Sequence, residues 1–178
     1  MTFFSEDNMK RVRQYIGILA SLAVYYVVHE GAHLICALLM GVFKTIRFMG
    51  LGIQIDIYRE NMSDGQLGLF CIAGAVATFV AAWVMVLLSK QFCKQFGTES
   101  ERHKPMILAC CWYTSIVLLM LDPLYLSILY RFVGGGDMNG IKLLMPETAA
   151  AIMFGTIFLA HAVVLCKVLL PRYKKAFN

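Results

Sequence analysis

Four long apolar runs, at residues 15–43, 67–88, 106–132 and 148–170, dominate the chain, and short polar stretches separate them. Each run exceeds the roughly 20 residues that an α-helix needs to cross a hydrocarbon core. The pattern therefore predicts an all-α polytopic membrane protein with four transmembrane helices. Lys10, Arg11 and Arg13 precede the first run in the manner of a signal sequence. That run is far longer than the roughly 7–15 apolar residues of a signal peptide, however, and so reads as a retained helix.

The segments between the runs carry their own signals. In the loop at residues 44–65, Ile53, Ile55 and Ile57 alternate with Gln54, Asp56 and Tyr58. Period-two alternation of β-branched residues reads as a short membrane-associated strand or hairpin, or else as an amphipathic connector on the bilayer surface. In the second run, Ala73, Ala77 and Ala81 recur every four residues beside Gly74 and Thr78. Small residues on one helix face let a second helix approach closely, so this reads as a packing face. Asp122-Pro123 interrupts the third run, where the helix is expected to kink or end. The glycine-rich stretch at residues 134–140 follows, either as a surface turn or as broken backbone at membrane depth. No internal repeat is visible, so residues 1–178 read as a single membrane-embedded domain.

Composition agrees with this pattern. Of the 178 residues, 60% are hydrophobic and 15% are charged, and the mean hydropathy is +0.69. A soluble domain carries roughly a quarter charged residues, so this chain holds more apolar side chain than a globule of its size can hide. A disordered segment, a secreted disulfide scaffold and a nucleic-acid module are thereby excluded. The net charge of +5 reads as topology, because eleven of the sixteen Lys and Arg lie before the first run, between the second and third, or from Lys167 onward. The rule that cytoplasmic loops are positive then puts both termini in the cytoplasm of a cell (inner) membrane. The six cysteines form no CxxC pair and read as small buried hydrophobes. His103 sits in a charged loop, His161 is expected to make a hydrogen bond to a neighbouring helix, and Tyr25, Tyr26, Trp83 and Trp112 read as packing or interfacial anchors.

The chemistry concentrates in the first run, at His29-Glu30-Gly31-Ala32-His33, an HExxH motif. Residues four apart share a helix face, so His29 and His33 are able to offer two imidazole nitrogens to one metal ion. Glu30 stands about 100° round the helix, from where it reaches a water without competing for the metal. Polar residues grouped in an apolar helix need a compensating partner, and a metal ion in a wet pocket is one.

HExxH within a transmembrane helix resembles the site-2 protease (peptidase M50-like) group of intramembrane zinc metalloproteases. The resemblance spans residues 15–145. It implies that His29 and His33 are zinc ligands and that Glu30 is the general base. It also implies that an aspartate from a later helix is the third ligand. Asp137, ahead of Asn139, Gly140 and an apolar stretch, resembles that aspartate, with Asp122 as the alternative. Gly74-Ala75-Val76-Ala77-Thr78 stands where the family has G-P-x-x-N and keeps its glycine, and residues 46–58 resemble the family's β element. The chain departs from the family in lacking a D-G motif, and its charge bias starts the HExxH helix in the cytoplasm, whereas the family core usually enters from the other side.

The function so implied is hydrolysis of peptide bonds in transmembrane or membrane-associated protein substrates, with one Zn2+ per chain. Gln54, Ile55, Asp56 and Asn139 are the expected substrate-binding residues, the first three by strand addition. The expected partners are the substrate, the lipid bilayer and a separate regulatory membrane protein, with no nucleic acid. The alternative is a catalytically inert membrane-embedded binding protein that keeps the protease-like core. A metal transporter would show polar residues along several helices, and only His161 offers any.

Overall fold

The computed structural model describes residues 6–49, 52–97, 104–134 and 136–177. His103 and Gly135 lie outside the described residues. Helix α1 spans Glu6–Leu39, followed by strands β1 (Phe43–Met49) and β2 (Gly52–Ile57). Helix α2 spans Asp64–Phe96, α3 Lys104–Val133, the short α4 Met138–Ile141, and α5 Glu147–Phe177. The four long helices are apolar and long enough to cross a membrane. Their outward faces carry large apolar side chains, among them Val27, Leu87 and Phe132 at 73%, 74% and 79% exposure. Such a surface is stable against lipid and not against water.

The helices extend beyond the apolar runs because flanking Lys, Arg, Glu and Gln are good helix formers. The exception is the end of α1, which falls at Leu39 and not at residue 43. Gly41, at φ +68°, adopts the left-handed conformation there, and the Val42 amide donates back to the Ala37 carbonyl (2.9 Å). This is a Schellman close, and it turns the chain into β1.

The alternation in the first loop forms a strand. β1 and β2 make an antiparallel pair with Ile46 opposite Ile55 and Arg47 opposite Gln54. Ile55 is buried and Gln54 exposed, and Arg47 pairs with Asp56 at 2.6 Å. The next helix, α2, opens on a capping box. The Ser63 amide donates to Gln66 Oε1 (2.9 Å), and the Gln66 amide donates to Ser63 Oγ (3.3 Å).

Helices α1, α2 and α3 pack against one another, and α5 covers α3. The packing stripe of α2 lies one residue on from the expected alanines. Gly74, Ala75, Thr78 and Ala82 are buried, while Ala73, Ala77 and Ala81 are half-buried. All six cysteines are unpaired.

Of the kink or end expected at Pro123, the end does not occur. Helix α3 runs through it and widens into a π-type turn at Tyr125–Leu129 before ending at Val133. Proline has no amide hydrogen, so the carbonyl four residues back, Leu119, lacks its helical partner. His161 of α5 supplies one, its Nδ1 donating to the Leu119 oxygen at 2.7 Å. A neighbouring helix thus satisfies the backbone group that proline leaves bare, which is how lipid-embedded helices tolerate proline.

Candidate metal centre

His29 and His33 lie on the buried face of α1, at 7% and 3% exposure. Their Nε2 atoms are 3.2 Å apart. Asp137 faces both of them, with Oδ2 at 3.1 Å from His29 Nε2 and Oδ1 at 3.5 Å from His33 Nε2. The two imidazoles and this carboxylate offer ligand atoms all within 4.8 Å of one another.

The outer nitrogens fix which atoms point inward. His33 Nδ1 donates to the Phe70 carbonyl at 2.8 Å, and His29 Nδ1 faces Asp122 Oδ2 at 3.2 Å. With the ring protons on Nδ1, both Nε2 atoms present lone pairs. Two lone pairs and a carboxylate then converge with no donor among them, an arrangement that a cation satisfies. The residues fit a divalent metal held by two imidazoles and one carboxylate, the donor set of catalytic sites that keep a coordination position open.

Asp137 reaches the helix face through its loop. Gly134 and Gly136 take positive φ values of +107° and +27°. Tyr125 Oη donates to the Gly134 carbonyl (2.8 Å), tying the loop back to α3. The Gly140 and Ile141 amides donate to the Asp137 carbonyl at 3.0 and 2.9 Å, starting α4 at that residue. Gly140 lets α4 sit on α2, since a Cβ there would stand 2.7 Å from the Cys71 Cβ and 3.0 Å from the Leu67 carbonyl. A carboxylate ligates metal in its ionised form, so Asp137 offers the two nitrogens' shared cation a negative charge.

Asp122 lies behind His29, on the side of the ring away from Asp137, and is 1% exposed. Besides His29 it accepts from the hydroxyls of Tyr25 and Thr78. A carboxylate bonded to the outer nitrogen of a ligating histidine fixes ring orientation and raises ligand basicity. In the sequence, Thr78 reads as a small packing residue that also stands at the last position of the stretch resembling G-P-x-x-N, and Tyr25 as an anchor. Their polar roles had one legible sign, since Tyr25, His29 and His33 recur every four residues on one helix face. Gly74 gives the rings room, because a Cβ there would lie 2.6 Å from His29 Nε2 and 2.7 Å from His33 Nε2.

A cavity of about 630 Å³ opens beside the cluster, lined by His29, Glu30, His33 and Asp137 on one side and by β2 on the other. Glu30 is half-buried and lies across the cavity wall from the Ile55 backbone amide, which is directed toward it. Gln54, Ile55 and Asp56 all line the cavity. Asn139 does not, for it is exposed on α4, where Lys142 Nζ donates to its Oδ1 (3.1 Å). His161 is likewise away from the cluster, packed between Phe79 and Trp83.

The chain matches no protein-family model, no curated protein and no solved structure.

Proposed function

We propose that the chain is an intramembrane zinc metalloprotease that cleaves membrane-spanning or membrane-associated proteins. One observation carries this reading: His29, His33 and Asp137, brought together from positions 108 residues apart in the chain, aim three acceptor atoms at one point beside Glu30. Zinc bound there would supply Lewis acidity to the scissile carbonyl and to the attacking water. Glu30 takes the proton of that water and returns it to the leaving amine. Asp122 keeps the His29 proton on Nδ1.

A substrate helix hides its peptide bonds, so it must be held extended to be cut. The Ile55 amide points away from β1 and toward Glu30, which puts the unpaired edge of β2 along the cavity. An unwound substrate segment adding to that edge brings its backbone past the cluster. The lysine and arginine bias supports an orientation with both termini in the cytoplasm. The cluster lies near the middle of the first apolar run, within the depth of the membrane.

The test is cleavage of candidate single-span proteins by the full chain reconstituted with zinc. Wild type should cut, and Glu30→Gln should lose activity while keeping its zinc. A chain that binds a membrane partner equally well with either residue, and cuts nothing, is an inert binding protein.

A further inference from the structure

At the opposite end of the bundle from the histidines, a second cavity of about 500 Å³ lies between the start of α1, the end of α2, the start of α3 and the end of α5. Its α1 wall precedes His29 by 15 to 19 residues, about 25 Å along a helix axis. It is therefore a separate site from the metal cluster.

Three cations from the two ends of the chain converge on it: Lys10 and Arg13 from α1, and Lys174 from α5. Among the described residues, no aspartate or glutamate lines the cavity, and none of the three cations joins an ion pair. The remaining walls are largely apolar, with Leu108 and Trp112 on α3. On α1, Gln14 lines the cavity, and Ile18 and Leu22, at 42% and 39% exposure, continue the same four-residue stripe toward the middle of the helix. Topology alone asks for cations near this end of the bundle. It does not ask for them around a concave space with an apolar track leading away.

A guanidinium and two ammonium groups recognise phosphate, the guanidinium as a two-pronged donor and the ammonium groups as point charges. The apolar stripe suits an acyl chain. We infer that this cavity binds an anionic phospholipid, with the headgroup phosphate held by Lys10, Arg13 and Lys174 and a chain lying along Ile18 and Leu22. The inference is independent of proteolysis, since it uses no residue of the metal cluster.

The test is native mass spectrometry of the full chain released from micelles that contain phosphatidylglycerol or phosphatidylcholine. Wild type should retain one phosphatidylglycerol and no phosphatidylcholine. The triple variant K10Q/R13Q/K174Q should lose at least tenfold of that occupancy. The control triple R11Q/K94Q/K175Q, which removes equal charge outside the cavity, should keep it. Equal loss in both triples, equal retention of the two lipids, or complete displacement by millimolar inorganic phosphate would overturn the proposal. A measurement on wild type alone stands apart from any folding defect. Phosphatidylglycerol with a photoactivatable group in its acyl chain should label α1 between Lys10 and Leu22, and labelling confined to other helices would also overturn the assignment.

Discussion

Asp122 Oδ2 stands 3.2 Å from His29 Nδ1, on the far side of the ring from Asp137. One imidazole thus lies between two carboxylates, one placed to share a metal with it and the other to hold its proton. The two aspartates should respond differently to mutation. Asp137→Asn removes a ligand charge and should abolish stoichiometric zinc. Asp122→Asn leaves all three ligand atoms in place and should weaken zinc binding about 10- to 100-fold, the usual range for an outer-sphere partner. Competition with a chelator of known affinity reads both, and equal losses would show that Asp122 acts as more than a positioning residue.

Gly74 faces the two Nε2 atoms closely enough that a methyl group would take the space between them. Gly74→Ala should therefore lose zinc while keeping the helical signature, because Ala is a better helix former than Gly. Circular dichroism alongside metal content checks this, and full zinc occupancy in the alanine variant would show that the rings sit elsewhere.

His161 and Pro123 form a matched pair through the Leu119 carbonyl. Replacing His161 with Leu leaves that oxygen buried and bare, at a cost of about 1–3 kcal/mol. In a Pro123→Ala background, the residue 123 amide satisfies Leu119 from within α3, and the same His161→Leu change should cost much less. A double-mutant cycle on unfolding in mild detergent measures the difference. Additive effects would remove the link between the two residues.

The β2 edge makes a prediction about substrate. Neighbouring amides in a strand alternate in direction, so Ile53, like Ile55, points away from β1. Ile53→Pro removes one outward donor and should slow cleavage about tenfold, the worth of one backbone hydrogen bond, with zinc content unchanged. Ile53→Val, which keeps the amide, should cut at the wild-type rate.

The helices and the hairpin were legible because each is a local signal, apolar runs of spanning length for one and isoleucines every second residue for the other. The imidazole pair was legible for the same reason, as a four-residue spacing on one helix. The helix ends were less so, because hydropathy reports contact with hydrocarbon and α1 instead stops where Gly41 permits a left-handed turn. The path through Pro123 was not legible, since it depends on His161, 38 residues away and on another helix. Asp137 stood ahead of Asp122 as the third ligand only through the family resemblance, and which nitrogen each acid faces was hidden. Asp122 lies within α3 and Asp137 just beyond its end, and only the loop through Gly134 and Gly136, with α4 seated on α2 at Gly140, turns Asp137 toward Nε2.

Metal analysis of the purified full chain bears most directly on the convergence of His29, His33 and Asp137. Wild type should carry one zinc per chain, and His29→Ala, His33→Ala and Asp137→Ala should each carry almost none. A wild-type chain that takes up no zinc when supplied with it, or a His29→Ala chain that keeps a full equivalent, would mean that the cluster is no metal site and would remove the basis for proteolysis.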